Sequence, residues 1–561
     1  MISSELEMND SKSKLKNPAI WFLLALILGL VLRLVSLGVG SFTQSELVLV
    51  NQALNVSRGV SESSANVPVY SGLTALLFFI FEASNFLARF LPAIAGASLV
   101  ILPWFWKEEL GEKAALILSF GLAIEPAFLL FSRTVNGGIF SIAGLLWVMT
   151  FFKKGKVGLF GFALAIAFLS GQTFWLLLFF GVLAIALLRL MKTDVRPGAT
   201  CPLRVNQGWK KALLVFLVSL FLISTSFLLN PSGLGSLASG LLDFVKGFGQ
   251  AFEKPVLHSF YLLLAHSFLP LILFGIAYFT SRITEKSKGS QIALLLFGLG
   301  LVFSLIFSRE NFVLLLIPIL IAWIAGAGWL ADFKVEFKEK RLPSVLLFVF
   351  VVAIFGYMSI NAKTLGKLPF GTSQFWSIGL LTLAGLVLLI AAWWLVRYGW
   401  KSGSQVFLLA TICVLGVLTM SSSFRTITNE ADFRALEYLD DKVVLPNNNV
   451  QEELDDFELT GKPLETIGDY KLLDLPDEYA WVFRSFEIER VSDDLVMILT
   501  RSTSIPEQNE DFRGMNVVLE RSIDWKSGLQ TYLYSILGRQ PAYQDQKGVL
   551  WLRTNLFTGA N

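Results

Sequence analysis

The chain has 561 residues, of which 54% are hydrophobic, 13% aromatic and only 16% charged, with a mean hydropathy of +0.63. Soluble globular proteins carry about 25% charged residues, so that class is excluded, as are the disordered and fibrous classes. The formal charge of +3 joins two opposite parts: residues 424–561 hold 14 Lys and Arg against 25 Asp and Glu, net −11, while residues 1–423 are net +14.

Met1–Asn17 is polar and carries Lys12, Lys14 and Lys16, and the apolar run Pro18–Gly38 follows it. That run is longer than a signal-peptide core and no small-residue cleavage site follows, so it reads as an uncleaved first span. Further spans of roughly 20 apolar residues are expected near 86–106, 114–132, 138–152, 157–171, 174–190, 212–230, 258–280, 291–307, 312–331, 342–360, 377–396 and 404–422, thirteen in all. With the amino terminus in the cytoplasm, the inner segments hold 23 basic residues and the outer segments before Phe424 hold eight, the asymmetry expected of cytoplasmic loops.

The stretch Val67–Phe81 is short, opens on Pro68 and would reverse every later loop if counted as a span, so it is expected to lie along the outer surface as an interfacial helix. The inner connection Met191–Lys211, with Pro197, Gly198 and Pro202, reads as a linker. An odd number of spans places the acidic tail outside. There Lys442–Leu445, Leu495–Thr500 and Val549–Leu552 read as strands and Asp524–Leu537 as an amphipathic helix. The expected architecture is a polytopic α-helical protein of the cell (cytoplasmic) membrane: a cytoplasmic tail 1–17, a transmembrane domain 18–423 with an outer loop 39–85, and an extracytoplasmic α/β domain 424–561.

Ionisable side chains in or at the edge of a membrane are expensive and therefore informative. Glu46 follows the first span in Ser41-Phe42-Thr43-Gln44-Ser45-Glu46 and leads into the amphipathic stretch Leu47–Val56. As a lone carboxylate at the outer surface it reads either as a general base or cation ligand or as a solvated loop residue. Arg133, in Ser132-Arg133-Thr134-Val135-Asn136, reads as a bidentate phosphate or carboxylate ligand or as an arginine snorkelling to the interface. Glu125-Pro126 lies about two turns below it, as the floor of a site or a structural polar contact. Arg309, in Ser308-Arg309-Glu310-Asn311, suits a lipid-linked phosphate, or pairs with Glu310 and water. Arg33 is expected to snorkel from the end of the first span.

His258 and His266, the only histidines, stand eight apart and lack metal-ligand spacing, and Cys201 and Cys413 form no framework. No Walker loop, GxGxxG, HExxH, CxxC or GxSxG motif occurs. The scattered basic residues give no nucleic-acid surface.

The order Arg33, Ser45-Glu46, Gly59, Val67-Pro68-Val69-Tyr70, the apolar Leu73–Phe81 and Ala88-Arg89-Phe90-Leu91-Pro92 resembles the GT-C glycosyltransferases of the protein O-mannosyltransferase and lipid A aminoarabinose transferase type. The likeness continues through Leu110-Gly111, Pro126–Arg133 and Arg309 into Phe312–Pro318, as a loose pattern of residue types over most of 18–331. The resemblance implies an outward-facing active site, a polyprenyl-phosphate-linked sugar donor and an extracytoplasmic protein, glycan or lipid acceptor. It implies that the acidic pair after the first span supplies the base. Here Ser45 stands where the family usually has Asp, and Asn136-Gly137 where it usually has a further acid. On this reading Glu46 is the catalytic base, and Arg133, Arg309, Glu125, Asn136 and Ser45 bind substrate around one cavity open to membrane lipid. No cofactor is implied beyond a possible divalent cation. Ser45 and Asn136 also support an alternative, a catalytically degenerate GT-C-fold protein that binds lipid or a partner as a scaffold; Glu125 alone supports a transporter.

Overall fold

A computed structural model of the chain describes residues 17–60, 65–190, 208–247, 256–283, 287–307, 312–333, 341–368, 371–399 and 401–428. Beyond these it describes 442–444, 469–473, 475, 479, 481, 484, 495–501, 512–523 and 543–553. The first part is helical: α1 (Pro18–Leu34), α2 (Gln44–Ser57), α3 (Pro68–Phe81), α4 (Asn85–Phe105), α5 (Lys107–Leu110), α6 (Glu112–Ile124), α7 (Pro126–Arg133), α8 (Gly138–Lys153), α9 (Val157–Phe168) and α10 (Gln172–Leu190). There follow α11 (Gly208–Ser224), α12 (Ser239–Gly247), α13 (Val256–His266), α14 (Phe268–Ile283), α15 (Ser287–Ile306), α16 (Leu316–Asp332), α17 (Arg341–Lys367), α18 (Ser373–Gly399) and α19 (Lys401–Arg425). Each of the thirteen expected apolar runs falls on one helix or one bent helix pair. Among the described residues, seven helices are long and apolar enough to cross a bilayer, or up to nine if each bent pair is one span.

The two bends follow from proline. Pro126 disfavours helical backbone in the residue before it, and Glu125 is extended (φ −68, ψ 120), so α6 and α7 meet at 54°. Pro270 cannot donate to, and would collide with, the carbonyl of His266 in a continuous helix, and α13 and α14 meet at 85°. The runs read as single spans at 114–132 and 258–280 are thus broken. Glu125 at one break accepts from Ser267 Oγ at the other (2.6 Å) and from Trp323 Nε1 on α16 (2.9 Å). It is a buried contact between helices, away from the cavity described below.

The strands are β1 (Phe42–Thr43), β2 (Val443–Val444), β3 (Asp469–Leu473), β4 (Leu495–Thr500), β5 (Phe512–Ile523) and β6 (Tyr543–Arg553). They form one sheet in the order β1-β2-β5-β6-β4-β3, antiparallel except between β3 and β4. The expected strands at 442–445, 495–500 and 549–552 correspond to β2, β4 and part of β6; the expected helix 524–537 lies outside the described residues. The edge strand β1 belongs to the loop after α1, with Phe42 opposite Val444 and Gln44 N donating to Lys442 O at 2.8 Å. Trp481, fully buried, packs its ring on Phe42 and Phe78 (centroids 5.8 and 5.6 Å) and donates Nε1 to Asn85 Oδ1 at 3.2 Å. Sheet and helices therefore share one hydrophobic core at this end of the bundle.

Within the sheet, Glu520 is buried and accepts from Lys442 Nζ, Tyr479 Oη and Arg501 Nη2 at 2.7–2.8 Å. Burial pushes its carboxyl up, but the hydrogen bonds from Lys442 and Tyr479 and the charges of Lys442 and Arg501 outweigh this and hold it below its ordinary value of 4.5. A depressed folded-state pKa contributes stability above the unfolded value that is lost as pH falls through the folded value. Glu520→Gln should therefore flatten the acid limb of sheet stability, followed by hydrogen exchange in β5 and β6 below about pH 4.5; an unchanged limb contradicts the assignment.

Candidate functional site

At the sheet-bearing end, helices stop inside a nonpolar surround, and their last carbonyls need donors that lipid cannot supply. Arginines supply them. Arg133, at the end of α7, donates Nη1 to the carbonyls of Leu32, Arg33 and Val35 (3.1, 3.0 and 2.7 Å) and Nη2 to Ser36 (3.0 Å), capping the end of α1. Arg33, on α1, donates to Leu122 and Ala123 (3.1 and 3.4 Å) in the last turn of α6, and to Gly29 in its own helix. Ser423 Oγ on α19 donates to the next carbonyl, Ile124. The ends of α1 and α6 are thus each capped by an arginine from another helix, a cation where the helix dipole favours one. Arg33 is fully buried; it turns inward to carbonyls instead of snorkelling, because the break at Glu125 opens acceptors beside it.

Arg89, on α4, holds the chain between α1 and α2. It donates to the carbonyls of Gly40 and Ser41 (both 2.7 Å) and lies over the Phe42 ring, 4.2 Å from its centroid. Its Nε and Nη2 each stand 3.3 Å from a Glu46 oxygen. Glu46 also accepts from Thr43 N (2.9 Å), closing the box in which Thr43 Oγ1 accepts from Glu46 N, and from Val135 N (2.8 Å). Thr43-Gln44-Ser45-Glu46 has the spacing of a capping box. Both carboxylate oxygens are filled and Glu46 is 0% exposed. The expected lone carboxylate at an open surface is therefore a buried staple between the start of α2 and residues 135–137.

The cavity lies on the other side of that staple. It measures about 540 Å³ and is lined by Ser45, Val48 and Leu49 from α2, by Asn66 and Val67, by Phe131 and Val135–Gly137, by Ser170, Gln172 and Thr173, by Asp243 and Lys246 of α12, and by Phe312 and Val313. Gly137 is required there, since a Cβ would meet the Ser170 carbonyl oxygen at 2.4 Å. Asn136 fixes the loop: Nδ2 donates to the Phe131 and Thr134 carbonyls (2.7 and 3.0 Å) and Oδ1 accepts from Ile139 N at the start of α8 (3.0 Å). Gln172 Nε2 donates to the Asp243 carbonyl (3.3 Å), tying α12 to α10.

Of the residues singled out from sequence, Ser45 and Asn136 come together in the cavity. Glu46, Arg133 and Glu125 do not line it, since each is committed to buried partners, and Arg309 lies outside the described residues. A cavity lined jointly by Glu46, Arg133 and Arg309 was the geometry expected; for Glu46 and Arg133 it is replaced by carbonyl caps and the staple. The charged residues of the cavity, Asp243 and Lys246, were missed. Their signal was two charges three apart, hence on one helix face, in a short stretch of mixed polar and apolar residues.

Among the described residues no three His, Cys, Asp or Glu side chains gather. The cavity offers one carboxylate and three side-chain amides, and no chemical step is assigned to a divalent cation.

The sequence matches no protein-family model and no curated protein. Its fold is shared with the crystal structure of ArnT from Cupriavidus metallidurans bound to undecaprenyl phosphate: TM-score 0.54 at 15% identity, over 97% of this chain and 100% of that one. The same protein in its apo state gives a TM-score of 0.51 at 14% identity, with the same coverage. The chain thus has the GT-C fold of lipid A aminoarabinose transferases, as the resemblance in its first 331 residues implies, and the likeness extends through the sheet.

Breaking a buried ion pair by removing one partner costs about 3–5 kcal/mol. Arg89→Met should destabilise the protein by that amount, and the Arg89→Met, Glu46→Gln pair by clearly less than the sum, read as thermal unfolding in detergent. Additive losses contradict the staple.

Proposed function

We propose that the chain is a multi-pass membrane glycosyltransferase that moves a sugar from a polyprenyl-phosphate-linked donor to an acceptor outside the cytoplasm, a protein, glycan or lipid. The observation that carries this reading is the cavity at the sheet-bearing end, where Asp243, Lys246 and side-chain amides face apolar walls from α2 and from Phe312 and Val313. A ligand with a charged head and a hydrocarbon tail needs that combination. Support also comes from the shared fold with a protein crystallised with undecaprenyl phosphate.

In this reading Lys246, the cation among the described lining residues, faces the donor phosphate, where a positive charge stabilises the departing oxyanion. Ser45 and Asn136 border the sugar. Glu46 acts as a positioning residue, because it joins the two walls to which Ser45 and Val135–Gly137 belong. Arg309 stands close in sequence to lining residues Phe312 and Val313 and remains a candidate second phosphate ligand. The excess of basic residues in the alternate loops supports an amino terminus in the cytoplasm, residues 18–423 in the cell membrane and 424–561 outside it.

A second reading is favoured by one observation: the position that carries the acid in the family is Ser45, and its neighbour Glu46 has both oxygens occupied. A scaffold that binds polyprenyl phosphate without turning it over has the same cavity.

Hydrogen bonds to a charged group contribute about 1.5–3 kcal/mol, so Lys246→Ala should weaken undecaprenyl phosphate binding about 10- to 100-fold, measured by native mass spectrometry or a fluorescent-lipid titration in nanodiscs. Wild-type affinity in that variant removes the phosphate from this cavity. Binding by the unaltered protein without sugar release from any undecaprenyl-phosphate sugar supports the scaffold.

A further inference from the structure

We infer that Asp243 is the proton acceptor of the transfer, in place of an acid at the Ser45 position; this rests on the reading of the cavity as the transferase site. Three observations converge on it. Asp243 is the one carboxylate among the described residues that line the cavity. Glu46, the nearest acid in the position the family pattern suggests, is withdrawn by four donors from Thr43, Arg89 and Val135. The lining neighbour Ser45 has its hydroxyl within hydrogen-bond distance of Thr43 Oγ1 (3.1 Å) and carries no charge.

The placement of Asp243 is built rather than incidental. α12 is held against the turn between α9 and α10: Gly171 has φ +84, and a Cβ on Gly240 would lie 2.9 Å from the Gly171 backbone. Ser239 Oγ donates to the Ala65 carbonyl (3.1 Å) and Gln172 to that of Asp243 itself (3.3 Å). Lys246 follows Asp243 by three residues, so base and phosphate-facing cation project from one helix face, and no salt bridge between them is formed among the described residues.

The step balances without a further reactant. The acceptor O–H or N–H gives its proton to the Asp243 carboxylate while the oxygen or nitrogen lone pair forms the new bond to the anomeric carbon. The bond from that carbon to the phosphate oxygen breaks, and its electron pair leaves on polyprenyl phosphate, opposite Lys246. Asp243 then returns the proton to water.

The test uses the full chain in nanodiscs. Carbodiimide coupling of glycine ethyl ester, read by peptide mass spectrometry, should label Asp243, spare Glu46, and be blocked at Asp243 by undecaprenyl phosphate. Release of undecaprenyl phosphate from a panel of undecaprenyl-phosphate-linked pentoses and hexoses should fall about 10²- to 10⁴-fold in Asp243→Asn while affinity for undecaprenyl phosphate changes little. Asp243→Glu should keep part of the rate. Asp243→Asn with wild-type release, or Glu46 labelled and Asp243 spared, overturns the inference while leaving the transferase reading in place. No release by the unaltered chain from any donor overturns both.

Discussion

Where a helix ends within the apolar part of a membrane protein, its last carbonyls must find donors inside the protein. In this chain α1 and α6 both end that way: Arg133 of α7 caps the end of α1, and Arg33 of α1 caps the end of α6. Arg89 does the same for the strand-forming loop after α1, and the one carboxylate that balances it, Glu46, reaches across to Val135. The cavity walls from α2 and from residues 135–137 are fixed relative to one another by this set of bonds. An arginine with five donors in a planar fork suits such work better than lysine. The charges most visible in the sequence are thereby spent on holding the site, and the charges that face the cavity come from a later, less conspicuous segment.

The sheet is part of the same construction. Its edge strand β1 comes just before Glu46 in the chain, and Phe42 of that strand packs against Trp481 and under the Arg89 guanidinium. A disturbance of the sheet at β2 or Trp481 would therefore reach Thr43 and Ser45 through backbone pairing and ring packing, without passing through solvent.

The helical framework was largely legible in the amino-acid sequence, because a run of apolar residues long enough to span a bilayer has few other fates. The β2, β4 and β6 segments were legible from alternation alone. The breaks at Glu125-Pro126 and before Pro270 were written in the proline positions, yet hydropathy averages over them and the runs read as continuous. The consequence reaches the site: a continuous α6 leaves no free carbonyls, so Arg33 reads as a snorkelling residue, whereas the break at Glu125-Pro126 makes it a cap. Glu46 stands out by its position as a surface carboxylate, whereas the capping-box spacing Thr43-x-x-Glu46 predicts an inward one. Ser45 and Asn136, singled out for departing from the family pattern, are the two that reach the cavity. Asp243 and Lys246 carry only a three-residue spacing in an apolar stretch, and the long-range packing that presents them is not a local property.

The division of labour between buried arginines and cavity charges is tested most directly by an experimental structure of the protein in nanodiscs with undecaprenyl phosphate. The account predicts phosphate density within hydrogen-bonding distance of Lys246 Nζ and close to Asp243, with Arg133 still on the α1 carbonyls and Arg89 still on Glu46. A phosphate bound by Arg133 or Arg89 released from those carbonyls would contradict it.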